Sequence, residues 1–141
     1  MAKKIIILIL IGTIAYLAFG WFIFDYILGG YTDMNTIQIP GFKKSAEQFS
    51  MPYLVLSCAA YSALMVFVLI YLTNTTNIMK GTITGAVIGV LVAVMADSYW
   101  LASSNFYNNV YVAAADVAAA AISVGFLGLT ITLAGKKIKG Q

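Results

Sequence analysis

Four stretches of this chain each stay apolar for about the 20 residues that a helix needs to cross roughly 30 Å of hydrocarbon, and no other feature constrains the fold as strongly. They run approximately from Ile5 to Leu28, Met51 to Thr73, Gly81 to Ala102 and Val110 to Gly135. Lipid offers no hydrogen bonds to an exposed backbone, so runs of this length predict helices that satisfy their own N–H and C=O groups. With 62% hydrophobic and 9% charged residues, the chain has too little polar surface to cover a water-soluble globule. The expected fold is an all-α bundle of four transmembrane helices. It forms one domain over residues 1–141, with a single substantial loop at 29–50.

The first run begins like a secretory leader, with Lys3 and Lys4 ahead of an apolar stretch and Ala18-Phe19-Gly20 offering a small-residue cleavage pattern. It continues through Trp21, Phe22, Ile23 and Phe24, which is too long for a leader, so we expect a retained span. Basic residues flanking spans stay in the cytoplasm. If the four spans alternate, Lys3, Lys4, Lys80, Lys136, Lys137 and Lys139 share one side and Lys43 and Lys44 the other, which predicts cytoplasmic N and C termini. The net charge of +3 then describes topology, and nucleic acid drops out as a partner for want of a basic block with interleaved aromatics.

The chain has no His and one Cys, so the usual ligands of zinc, copper, haem and iron–sulfur centres are missing and no cofactor is expected. The remaining candidates for chemistry are carboxylates. Asp97 lies six residues before Ser103, about 9 Å below the outer end of the third span at 1.5 Å per residue. Asp116 lies roughly 7 to 8 Å and Asp25 roughly 4 to 5 Å from the outer ends of their own spans. Ser57 falls at a similar level, with Tyr61 about one turn deeper. An aspartate at the centre of an inserting helix costs about 2.5–3.5 kcal/mol, less near the interface, so such groups face protein or water. These residues therefore predict one polar layer in the outer half of the bilayer, with Asn105, Asn108 and Asn109 at its entrance. Without an Arg in the chain, its carboxylates must be protonated, hydrogen-bonded or neutralised by a cation.

Small residues mark the packing faces. Gly81, Gly85, Gly89, Ala93 and Asp97 stand four apart, a ridge that admits another backbone. At 3.6 residues per turn it drifts about 40° per step, so only neighbouring members are expected to share a face. After Asp116, the residues Ala119, Ala120, Ser123 and Thr130 continue a stripe of small and polar side chains. Trp21, Trp100, Tyr26, Tyr31, Tyr99, Tyr107 and Tyr111 read as interfacial anchors. In the outer loop, Gly29-Gly30 is expected to end the first helix, and KKSAEQ between Phe42 and Phe49 to form a short surface helix or lid. The short inner connection predicts that the second and third spans are antiparallel neighbours, as are the third and fourth.

The stretch FGWFIFDYILGG, residues 19–30, with SSNFYNNVYVAAADVAAAAISVGFLG, residues 103–128, resembles small four-span bacterial membrane proteins of unknown function. The resemblance covers most of the chain and implies the bacterial inner membrane and the four-span fold, with no activity attached. In layout the chain is also similar to lipoprotein signal peptidase, whose paired aspartates would correspond to Asp97 and Asp116. The flanks Val94-Met95-Ala96-Asp97-Ser98 and Ala113-Ala114-Ala115-Asp116-Val117 lack that family's motifs.

The expected function is therefore non-enzymatic: a homo-oligomer or an accessory subunit of a larger membrane complex, packing through the Gly81-Gly85-Gly89-Ala93 seam and the Ala-rich fourth helix, with membrane lipid as the other partner. The alternative is a protein that binds or conducts a small cation or proton through Asp97 and Asp116, with Asp25 peripheral. Intramembrane aspartyl hydrolysis is the third reading.

Overall fold

A computed structural model describes residues 2–45 and 47–139, with the side chain of Lys139 left out. Over these residues the protein is helical. Helix α1, Ala2–Trp21, continues through a π-helical turn at Phe22–Ile27, and α2, Gly29–Asn35, follows. Helix α3, Met51–Val66, likewise runs on through a π-helical turn at Phe67–Leu72, and α4, Ile78–Ser103, and α5, Val110–Lys139, complete the chain. Four helical stretches are long and apolar enough to cross a membrane: Ala2–Ile27, Met51–Leu72, Ile78–Ser103 and Val110–Ile138. The chain is accordingly a multi-pass membrane protein.

Local chemistry sets the helix ends. Asn77 accepts from the Lys80 amide at 3.2 Å and starts α4, and Pro52 sits in the first turn of α3, where its missing N–H costs nothing. The first span ends at Ile27, just ahead of Gly29-Gly30 as expected, but the pair opens a second short helix instead of a left-handed turn. Both keep ordinary helical geometry, and the Thr32 amide donates to the Leu28 carbonyl at 2.8 Å, so the chain coils on to Asn35. The glycine that does use the left-handed region is Gly41, with φ of 81°, in the turn at 40–42. The described residues of KKSAEQ form turns and extended chain rather than a helix, and Ala46 lies outside them.

The helices pack as an open row in the order α4, α5, α1, α3, with α5 also touching α3. The expected pairing of the second and third spans does not occur: α3 packs on α1 and α4 packs on α5. The connector at 73–77 turns away through Asn74, whose φ of 42° is left-handed. The stronger attraction is the α4–α5 seam. Built on the backbone, a Cβ at Gly81 would meet Thr132, one at Gly85 the Val124 carbonyl, and one at Gly89 the Ala120 carbonyl at 2.5 Å. A Cβ at Gly81 would also lie 3.1 Å from the Gly128 carbonyl, so each step of four along α4 is answered by a step of four back along α5, from Gly128 to Val124 to Ala120. Because α5 follows the ridge as it winds, Gly81, Gly85, Gly89, Ala93 and Asp97 are all buried, more of the ridge than a straight partner could cover.

Along the helix axes, in the half farthest from the carboxylates, Leu8, Met65, Val66, Leu69, Val124, Leu127 and Ile131 form a closed apolar core contributed by α1, α3 with its π-helical turn, and α5. Opposite it, the two loops join. The Ile37 amide donates to the Phe106 carbonyl and the Asn108 amide to the Asn35 carbonyl, each at 2.9 Å, so residues 35–37 lie antiparallel to 106–108.

Candidate functional site

The α4–α5 seam carries the site because it ends at Asp97. Gly and Ala hold the two backbones close along its length, and at the end nearest the 104–109 loop the same closeness sets the Asp97 carboxyl beside that of Asp116. Asp97 is 5% exposed, and one oxygen, Oδ2, is buried with no donor. Carboxylates are acceptors only, so a contact between two of them becomes a hydrogen bond only when a proton is placed between them.

The other oxygen of Asp97, Oδ1, accepts from the Tyr107 hydroxyl at 2.8 Å. The α4–α5 loop folds inward to deliver it. The Ser104 hydroxyl bonds the Trp100 carbonyl at 2.9 Å, and the Phe106 ring sits between Trp100, at 5.7 Å, and Phe42, at 5.4 Å. Tyr107 is thus a ligand of the carboxyl pair rather than the interfacial anchor expected of it. Burial, followed by the hydrogen bond and charge of Asp97 and then the charge of Asp116, pushes its phenol above the ordinary value of 10.0.

Asp116 also lies within electrostatic reach of Tyr16 on α1. Tyr16 was missed as a site residue, although a phenol isolated in an apolar run was the available signal. Its ring is 5.2 Å from that of Tyr61 on α3, so helices α1, α3 and α5 meet beside the carboxyl pair. Deeper along the same interface, the hydroxyls of Ser62 and Ser123 are fully buried without partners. Ser123 stands two turns inward from Asp116 on the same face of α5, with Ala119 and Ala120 buried between them.

The remaining candidates fall elsewhere. Asp25 is exposed on the π-helical turn of α1, and with Ser57, also exposed, it lines a groove of about 290 Å³ between α1 and α3 whose wall includes Tyr16. The asparagines serve the architecture. Asn109 accepts from the Tyr111 and Val112 amides at 3.0 and 3.3 Å, capping α5, and its amide donates to Asn35 Oδ1 at 3.0 Å. Asn108 contributes its backbone to the loop pairing, and Asn105 is exposed. Lys43 pairs with Asp33 on the surface and not with the carboxyl pair. Among the described residues no three His, Cys, Asp or Glu side chains gather where they could hold a metal ion.

No protein-family model, curated protein or solved structure matches this chain.

Proposed function

We propose that this is a non-catalytic, proton-binding membrane protein in which Asp97 and Asp116 hold one proton between them in the outer half of the bilayer. The observation that carries the reading is the buried, unpartnered Oδ2 of Asp97 in a carboxyl that neighbours Asp116. Two ionised carboxylates in contact repel strongly where water is scarce, and a single shared proton relieves that repulsion while completing the missing hydrogen bond. A hard metal ion suits the site less well. Magnesium and calcium want about six or more oxygen ligands, and among the described residues Tyr107 is the one further side chain hydrogen-bonded to the two carboxyls.

Binding is favoured over conduction. Beyond the orphaned Ser62 and Ser123 hydroxyls, the closed core of Leu8, Met65, Leu69, Leu127 and Ile131 stands across the path, each 0 or 1% exposed. The lysine distribution supports an orientation with both termini in the cytoplasm, so the pair would respond to proton availability on the external side. A second reading, assembly with further copies or with a larger membrane complex, draws support from the open row. Helix α4 packs chiefly on α5, and Ile83, Val87, Leu91 and Met95 stay exposed. The glycine ridge itself is filled by α5 within the chain and is not available to a partner.

Infrared spectroscopy of the reconstituted protein tests the first reading, because a protonated carboxyl and a carboxylate absorb in different bands. A carboxylic-acid band is expected in the wild type at neutral pH. It should be lost or displaced in both Asp97→Asn and Asp116→Asn, since both carboxyls hold the proton. A band unchanged in both variants would overturn the proposal.

A further inference from the structure

We propose that the groove between α1 and α3 headed by Asp25 is a binding site for one bilayer lipid with a primary-ammonium headgroup. Three adjoining concavities, of about 630, 450 and 290 Å³, share Asp25 and Trp21 in their walls. The two that lie between α1 and α3 are of the size of small-ligand sites, roughly 300–1,000 Å³. The site has a polar head and an apolar body. Asp25 stands two residues before the end of the first span, at headgroup level, while Ile14, Leu17 and Leu54 extend the wall along the helices and Met51 closes one side.

Charge complementarity selects the occupant. Among the described residues Asp25 has no hydrogen-bond or ion-pair partner. Of the two outer-loop lysines, Lys43 is engaged by Asp33 and Lys44 makes no ion pair among the described residues, which leaves the Asp25 carboxylate uncompensated. An unpaired carboxylate at the edge of hydrocarbon is costly, and an ammonium group both neutralises it and donates to it. Trp21 and Tyr26, 69% and 81% exposed, flank Asp25 with aromatic faces that attract cations. The source is the bilayer, because the walls below Asp25 are span residues that open sideways along the helices, where an acyl chain already lies.

The π-helical turn explains how the groove forms. The Leu28 amide donates to the Ile23 carbonyl at 3.0 Å, five residues back, so the turn holds one residue more than an α-turn. At about 100° per residue, that addition rotates the outer end of the helix relative to the face that packs on α3.

The test is native mass spectrometry of the intact protein with three lipids of identical chains: phosphatidylethanolamine, phosphatidylcholine and phosphatidylglycerol. The ethanolamine and choline lipids are both zwitterionic with a positive nitrogen, but only the former donates N–H. We expect wild type to retain phosphatidylethanolamine about tenfold over phosphatidylcholine, the worth of one charge-assisted hydrogen bond. Asp25→Asn should abolish that preference. Leu17→Trp, which fills the groove and leaves the carboxylate intact, should lower retention of every lipid. Equal retention of the ethanolamine and choline lipids by wild type, preference for phosphatidylglycerol, or unchanged selectivity in Asp25→Asn would each overturn the proposal. If Asp25→Asn does not fold, undiminished phosphatidylethanolamine binding by Leu17→Trp does so alone.

Discussion

Tyr107 ties the loop between α4 and α5 to the buried carboxyl pair through one hydroxyl, donated to Asp97 over 2.8 Å. Removing it in Tyr107→Phe leaves Asp97 with neither oxygen supplied by a phenol or an amide, at a cost of about 1–2 kcal/mol for a partly buried hydrogen bond to an ionisable acceptor. The expected result is a lower unfolding midpoint in detergent with the helical content unchanged. The alkaline limb supplies an independent check. The folded-state pKa of Tyr107 lies above its unfolded value of 10.0, so its contribution is complete below that pH and disappears as pH rises through the higher folded value. Wild type should therefore lose more stability above pH 10.0 than Tyr107→Phe does, and parallel alkaline limbs would show that the phenol is not held by the pair. Asn109 shows the opposite balance. Its polarity at a helix start suggested an entrance ligand, but both ends of its amide are occupied by the cap and by Asn35.

At the scale of elements, the α4–α5 hairpin is the best-determined unit, and glycine position decides where it tolerates change. A Cβ at Gly85 would run into the Val124 backbone carbonyl, whereas one at Gly125 would meet the Ala86 Cβ at 3.5 Å, an ordinary contact. Gly85→Ala should therefore destabilise by about 1–3 kcal/mol, as overpacking does, and Gly125→Ala should be close to neutral. Thermal unfolding of the two variants side by side checks this, and equal effects would mean that the backbones are not in contact. The same hairpin shows what was legible beforehand. Helix existence followed from apolar length, and the ridge of residues four apart marked the packing face. The extent of that face was not legible, because it depends on α5 winding with the ridge. Nor was the fate of the second span: a short connector limits distance but not partner, and close packing of α4 on α5 removed α4 from α3. Tyr107 was obscured for a similar reason, since an aromatic beside a span reads as an anchor until the path of the loop is known.

At the scale of the whole molecule, polar and apolar burial are segregated by depth. Carboxyls, phenols and the loop pairing occupy one end, and a closed aliphatic core the other, so which end faces out determines which compartment the pair can sense. Six lysines flank the core end of the spans and two flank the carboxyl end, where Lys43 is already bound to Asp33. In the proposed orientation, with the basic flanks retained in the cytoplasm, the carboxyl end lies outside. Reporter fusions check this in the cell. A phosphatase that is active only after export, inserted between Lys44 and Ser45, should be active. The same enzyme inserted between Thr75 and Thr76 should be silent, and a fluorescent protein that folds only in the cytoplasm should light up after Gln141. The reverse pattern would move the carboxyl pair into the cytoplasmic half of the bilayer and make any protonation a response to internal pH. It would also place the lipid of the Asp25 groove in the inner leaflet, while the contact between Asp97 and Asp116 itself would stand.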